Sequence, residues 1–448
     1  MGIFSADSQL SAAKSTLEHL SKELNLKLTV RLWNGELIPL GTNPSNGLVL
    51  SISEPGVVGS LLRRPTPENL VRLYATGKID FEGGNLIEFR EAMRMEGSSR
   101  QRIKGLRKSL LARNLLPFLF ARTEPPQIKN EFDQDEVGRT ESKRNNKDYI
   151  QFHYDVGNEF YKLFLDKEMQ YSCGYFHSPE DTLEQAQLNK LEMICRKLRL
   201  KPGERMLDIG CGWGGLICYA AKNFGVKAHG ITLSQQQHDL VQQKIRDRGL
   251  VGQVSVELCD YEKHQGQYDK ISSIGMFEHI GVANYPTYFR KVRSMLCDHG
   301  ILLNHAIARS AKKSKKKARY IRPERRLLLK YIFPGSELTS VGFTSDAMEH
   351  DGFEVHDVEA WRVHYGMTCK AWCERLTANR DEAIRLVGHE RYRLWVAYLA
   401  GASCGFVDGG IKIYQVVASK KARSGEGQIP LTREDLYAPT GDAVQKAA

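Results

Sequence analysis

Leu207-Asp208-Ile209-Gly210-Cys211-Gly212-Trp213-Gly214-Gly215 reads as an apolar strand that runs into a glycine-rich turn and then a helix. Gly210 and Gly212 let backbone approach a ligand at the carboxyl end of that strand, where open α/β sheets bind their ligands. The spacing is G-x-G-x-G, without the third glycine of a dinucleotide site, and no phosphate-binding lysine follows. Outward from this turn, from Tyr149 on, strands alternate with helices, the pattern of a mostly parallel sheet covered on both faces. Strands are expected at Arg205–Ile209, Val226–Leu233, Val254–Asp260, Lys270–Met276, Ile301–Ile307, Phe353–Ala360 and Ile411–Ser419. Ser234 is placed to cap the helix after the second strand. Helical stretches near Thr368–Val387 and Arg391–Gly401 precede the last strand.

The turn suits a nucleoside without a diphosphate, as in S-adenosylmethionine (SAM). A turn serving the backbone alone would explain one strand end, but two more carry polar groups. Gly230-Ile231-Thr232-Leu233-Ser234-Gln235-Gln236-Gln237 brings Thr232, Leu233 and Gln237 within reach of a ribose or an amino-acid moiety. Asp260-Tyr261-Glu262 offers an aromatic face for adenine, on Tyr261, and a carboxylate for its amino group, on Glu262. With Asp208, Gly210, Gly212 and Gly214 these make the candidate cofactor residues.

Composition bounds the rest. The 448 residues suggest two or three domains. A net charge of +11 points to an anionic partner, a nucleic acid or a membrane surface. Nine cysteines, from Cys173 to Cys404, show no metal-ligand spacing; even Cys369 and Cys373 lack a second pair. They read as reduced thiols in a cytoplasm. No apolar run approaches the roughly 20 residues of a membrane span, and Met1–Ala6 places Ser one position early for myristoylation. Any meeting with a membrane is expected at its surface. Residues 1–122 mix short strand-like runs (Leu28–Leu32, Leu48–Ile52) with helical ones (Glu68–Tyr74, Leu86–Met95) and carry no catalytic motif. Residues 123–148 are polar and charged, as in a linker; 149–420 form the domain of the glycine turn; 421–448 are a polar tail.

Further motifs carry a resemblance. Tyr154-Asp155-Val156-Gly157-Asn158, Met169-Gln170-Tyr171-Ser172-Cys173-Gly174-Tyr175-Phe176, the glycine turn, Phe277-Glu278-His279, His305-Ala306-Ile307 and Lys330-Tyr331-Ile332-Phe333-Pro334-Gly335 resemble cyclopropane fatty acid synthases over about Tyr149 to Lys420. The resemblance implies a Rossmann-like class I SAM methyltransferase domain with a seven-stranded, mostly parallel sheet. It also implies a smaller α+β N-terminal domain for lipid binding or dimerisation. The implied reaction moves a methyl group from SAM to the cis double bond of an unsaturated acyl chain in a membrane phospholipid. The resulting carbocation loses a proton from the added methyl, and the ring closes. The family uses a bound bicarbonate as proton acceptor; its ligands map here onto Glu278, His305 and Tyr365, with backbone contacts near Cys173 and Ile307. Tyr171 and Ser172 join the cofactor residues by the same resemblance.

The chemistry is reasonable on physical grounds. An alkene is a poor nucleophile, so the site must align it with the sulfonium methyl and exclude water. Tyr171, Tyr175, Phe176 and Phe277 are candidate faces for a developing positive charge. Taken alone, His305 reads as a core histidine, Tyr365 as a loop anchor and Glu278 as a capping group; His279 keeps that plain reading. One position departs from the family: Ala402 stands where a cysteine is usual, with Cys404 two residues later. Loss of the proton from the chain instead of the methyl would give a methyl-branched unsaturated lipid, the nearest alternative. The basic run from Lys312 to Arg326 adjoins Leu327–Leu329 and Tyr331–Phe333, a mixture suited to an anionic bilayer. Nucleic acid is the rival reading of this run; no recognised RNA-binding module is present, and the resemblance implies a peripheral place on the inner membrane surface instead. An RNA methyltransferase and a non-catalytic lipid-binding protein are the remaining alternatives.

Overall fold

The computed structural model describes residues 5–44, 47–93, 103–123, 156–311, 331–333, 336–421 and 429–437. The basic run Lys312–Arg326, nearly all of the expected linker and most of the C-terminal tail lie outside them. Two compact units emerge: residues 1–134, 321–332 and 373–401 in one, and 135–320, 333–372 and 402–448 in the other.

In the first unit, β1 (Thr29–Arg31), β2 (Leu37–Pro39), β3 (Val49–Ile52) and β4 (Ile79–Glu82) form a sheet in the order β2-β1-β3-β4. Its core is Leu28, Val30, Leu32, Ile38, Leu40 and Leu48, packed with Ala13 of the helix Ala6–Leu24 and with Phe89 and Phe118. Arg393, on the helix His389–Val407, donates to the carbonyls of Tyr74 and Ile79 and pairs with Asp80 at 2.8 Å. Its guanidinium holds that helix to the start of β4.

The second unit holds β5 (Arg205–Ile209), β6 (Lys227–Thr232), β7 (Val254–Leu258), β8 (Tyr268–Ile274), β9 (Leu296–Arg309), β10 (Phe353–Ala360) and β11 (Ile411–Lys420). They make one sheet in the order β10-β11-β9-β8-β5-β6-β7. β11 runs antiparallel to both β9 and β10, and the other pairings are parallel. This is the expected seven-stranded α/β sheet. Side-chain alternation along the strands divides the core between its two faces. Met206, Ala228, Ile301 and Leu303 pack with Leu191, Ile217 and Val241 of one helical layer; Leu207, Ile209, Ile231, Ile271 and Leu302 pack with Phe289 and Met348 of the other.

Several strand ends differ from expectation by one or two residues, and the helix expected near Arg391–Gly401 runs from His389 to Val407; two further differences have a visible cause. β9 begins five residues earlier than Ile301, because a register shift between Tyr268 and Lys270 lets the ladder pass through Asp298-His299-Gly300, which reads as a turn. The stretch Thr368–Val387 is two helices, Arg362–Ala378 and Arg380–Val387. Between them the Asn379 side chain donates to the Arg375 carbonyl, one of the acceptors a helix end leaves open.

Candidate active site

The strand β5 ends at the glycine turn, and the cleft above it has about 520 Å3 of empty space, part of it open to solvent. Among its walls are Met169, Gln170, Tyr171, Ser172, Lys190, Asp208, Gly210, Gly212, Trp213, Gln237 and Gly275. Gly212 has φ +53°, and a Cβ there would meet nothing within 4 Å. Its backbone is thus bare towards the cleft, as close approach of a ligand requires. Gly214 differs: at φ +78° its Cβ would lie 2.9 Å from Val241, so it serves helix packing.

Of the expected cofactor residues, the structure brings Tyr171, Ser172, Asp208, Gly210, Gly212 and Gln237 to one cleft. Gly214, Thr232, Leu233, Tyr261 and Glu262 do not wall it. Thr232 acts behind it: its hydroxyl donates to Gln237 Oε1 at 2.7 Å and accepts from the Ser234 amide. Tyr261 packs edge-on to Tyr288, with its hydroxyl 3.3 Å from Glu262. The segment with Tyr171 and Ser172 is anchored by buried Asp166, whose carboxylate accepts from the Glu168 and Gln170 amides.

Lys190, which no sequence motif singled out, is the cation of this cleft. It is fully buried on the helix Leu183–Lys197 and donates to Gln170 Oε1 at 2.5 Å and Ser172 Oγ at 2.9 Å. Burial lowers its pKa to about 8, with the Asp166 charge opposing the shift. Asp208 is pushed up to about 6 by burial, against a 2.6 Å hydrogen bond from Ser272 and the charge of Lys190.

A second constellation sits where β8 and β9 end. Glu278, in the turn Phe277–His279 after β8, is buried. Its Oε1 accepts from the Ile307 amide at 2.6 Å, while its Oε2 is buried with no hydrogen-bond partner. Burial raises its carboxyl to about 7, the Ile307 amide opposing. His305 lies two residues before Ile307 on β9, fully buried, with Nε2 likewise unpartnered. Buried polar atoms are seldom left unpaired, and each such atom calls for an explanation.

The far side of His305 fixes what its Nε2 offers. Lys197 pairs with Glu359 and donates to Gln415 Oε1 at 2.8 Å; Gln415 Nε2 lies 3.0 Å from His305 Nδ1. An ammonium only donates, so the Gln415 oxygen must face Lys197 and its NH2 must donate to His305. His305 Nδ1 is then an acceptor, and the ring proton sits on Nε2. Burial, followed by the charges of Lys190 and Lys197, holds the His305 pKa well below the usual range, so the ring is neutral. Lys197, Gln415 and Trp361 were not legible as site residues. Trp361 is buried edge-on to His305 at 5.3 Å, stacks on Tyr175 at 4.6 Å and has an unpartnered Nε1.

The remaining candidates fall as follows. Cys173 is buried, and its thiol contacts the carbonyls of Gly174 and Trp361. Tyr365 is 8% exposed on the helix Arg362–Ala378, with its ring against Phe406 and Trp372. Tyr171 also stacks near Trp372, at 5.2 Å. Phe176 lies parallel to His364, whereas Phe277 packs in the core with Tyr285, Tyr288 and Phe289. His279 is held at about 4 by burial. Ala402 is buried beside Ser403, which donates to the Gly366 carbonyl.

A family model described as mycolic acid cyclopropane synthetase matches residues 141–416. The chain is 35% identical over 424 residues to a probable fatty acid methyltransferase of Pseudomonas putida, covering 93% of this chain and 98% of that one. It is 41% identical over 273 residues to the cyclopropane-fatty-acyl-phospholipid synthase of Escherichia coli K12, covering 61% and 68%. Among solved structures, a mycolic acid cyclopropane synthase complexed with SAH and CTAB matches 61% of this chain and 98% of its own, with TM-score 0.58 and 33% identity.

Proposed function

The chain belongs to the mycolic acid cyclopropane synthetase family and is a SAM-dependent methyltransferase of that kind; on that premise we propose that it methylates the cis double bond of unsaturated acyl chains in membrane phospholipids and closes a cyclopropane. The observation that carries this reading is the pair of buried, unpartnered atoms, Glu278 Oε2 and His305 Nε2. At neutral pH a carboxyl with a pKa near 7 is partly protonated and can donate. His305 Nε2–H donates as well. A small anion reaching both buried donors would satisfy them, and bicarbonate has the oxygen atoms to do so.

Bound there, bicarbonate would supply the base that removes a proton from the added methyl. The chain's own residues do the rest. Lys190 holds Gln170 and Ser172 at the wall of the cofactor cleft. Gln415 keeps the His305 proton on Nε2, and the Ile307 amide fixes one oxygen of Glu278 so that the other is presented. Trp361 and Tyr175 place aromatic surface beside His305, suited to a cation that water must not reach. In electron terms, the alkene π pair takes the methyl from the sulfonium, leaving a cation on the chain. Loss of a methyl proton then frees the C–H pair to close the ring. Ala402 removes no group from this route, which needs no cysteine nucleophile.

Among the described residues no helix is long and apolar enough to cross a membrane, and substrate would be met at a bilayer surface. The basic run Lys312–Arg326 is the proposed contact. Exchanging Lys315, Lys316 and Lys317 for Glu should lower binding to anionic vesicles, and unchanged binding would remove the segment from the account. Residues 1–122 are proposed as an accessory domain that contacts lipid or a second subunit. The function itself is tested by incubating the enzyme with SAM and unsaturated phospholipid vesicles, then recording proton NMR spectra of the acyl chains. Loss of vinylic protons with new upfield cyclopropane signals is the expected result; unaltered chains would overturn the reading.

A further inference from the structure

Away from both constellations, three side chains from separate stretches converge on one face of the sheet. His229 lies on β6 opposite Ser255 of β7, and Glu257 follows Ser255 on the same side of that strand. His264 comes from the connection between β7 and β8. One ligand atom from each of His229, Glu257 and His264 lies within 4.8 Å of the other two. The carboxylate oxygen Glu257 Oε2 is 2.8 Å from His264 Nδ1 and 3.6 Å from His229 Nε2.

The outer nitrogens are also provided for. His229 Nδ1 is 2.7 Å from the Ser255 hydroxyl, and His264 Nε2 is 2.8 Å from the Tyr268 hydroxyl. Both hydroxyls can accept, so each ring can keep its proton on the outer nitrogen and turn a lone pair inward. That is the arrangement by which metal-bound histidines are oriented. The His264–Glu257 contact on its own would be an ordinary hydrogen bond. It leaves His229 Nε2 buried and unpartnered, directed at the same carboxylate.

We propose that His229 Nε2, His264 Nδ1 and the Glu257 carboxylate form a site for one divalent transition-metal ion, zinc being the best match. Two neutral imidazoles and one carboxylate suit zinc, whereas magnesium and calcium favour all-oxygen shells. With zinc–ligand bonds of about 2.0–2.2 Å, tetrahedral ligand atoms lie roughly 3.3 Å apart, and the observed 2.8 and 3.6 Å bracket that value. On binding, the proton that His264 Nδ1 donates to Glu257 moves to Nε2, where the Tyr268 oxygen accepts it. The fourth position is left for solvent. A bound ion would tie β6 and β7 to the connection that carries Tyr261 and Glu262.

The test uses the full chain, stripped with chelator and titrated with zinc chloride by calorimetry, with bound metal counted after dialysis. The wild type should take up one equivalent, and zinc should raise its Tm. Glu257→Gln alters a half-exposed side chain and should abolish the Tm shift. Tyr268→Phe removes only the outer hydroxyl and should weaken binding by about tenfold or more. Cys259→Ser serves as the control for thiol capture, because Cys259 neighbours the same carboxylate; it should leave affinity unchanged. No zinc uptake by the wild type, equal uptake by Glu257→Gln, or loss of binding in Cys259→Ser would each overturn the site.

Discussion

The glycine-turn cleft and the Glu278–His305 constellation lie in one unit and are built on opposite principles. In the cleft, buried polar groups are mutually satisfied: Lys190 serves Gln170 and Ser172, Ser272 serves Asp208, and Thr232 serves Gln237. Around Glu278 and His305, each group has one atom held by protein and one left bare. A satisfied network shapes a binding wall. Bare buried atoms cost stability, about 1–3 kcal/mol each, a cost that a ligand completing them would offset. Under the proposed function, the first region would bind the cofactor and the second would hold the proton acceptor.

The sharpest way to break that division is to disable the second region alone. Glu278→Gln or His305→Ala should reduce methylation of vesicle lipid by about 10²–10⁴-fold, with SAM affinity unchanged by calorimetry. A parallel loss of SAM affinity would merge the two regions into one. Next in size is Gln415→Glu, which is nearly isosteric. Its carboxylate can accept from Lys197 and from His305 Nδ1–H, so it draws the ring proton to the wrong nitrogen. Turnover should fall about 10²-fold at unchanged KM for SAM; near-normal turnover would show that the His305 tautomer is immaterial.

Lys190→Met probes the other side. It removes charged hydrogen bonds each contributing about 1.5–3 kcal/mol, so SAM affinity should fall by roughly tenfold or more while turnover at saturating SAM is largely kept. Lost turnover at full affinity would reverse the assignment. The smallest effect is on stability. The folded-state pKa of Glu278 is raised from 4.5 to about 7, so the folded chain keeps a proton that the unfolded chain releases between these values. The stability this group contributes is present below 4.5 and lost as pH rises through 7. The Tm of the wild type minus that of Glu278→Gln should therefore fall between pH 5 and pH 8. A flat difference would mean that the carboxyl is not buried as described.

The two regions also differ in how far sequence reveals them. The sheet was legible because apolar runs of strand length alternate with helical periods, and the glycine turn because its residues adjoin in the chain. Even there, proximity misled: Gly214 sits within the motif yet packs against Val241. Lys190 was invisible, since a lysine on a mixed helix face reads as solvated. Glu278, His305 and Tyr365 stand far apart in the chain and were reached through resemblance alone. Lys197 and Gln415 belong to no motif, and only the fold, by running β11 antiparallel beside β9, sets Gln415 against His305.

If the ring closes as proposed, the proton leaves the transferred methyl, and SAM carrying a fully deuterated methyl reports whether it does. After reaction with vesicles of unsaturated phospholipid, mass analysis of the acyl chains counts the deuterons retained. The expected product keeps two of the three, in a ring. A product that keeps all three would place the proton loss on the chain, make a methyl-branched lipid, and contradict the role given to Glu278 and His305.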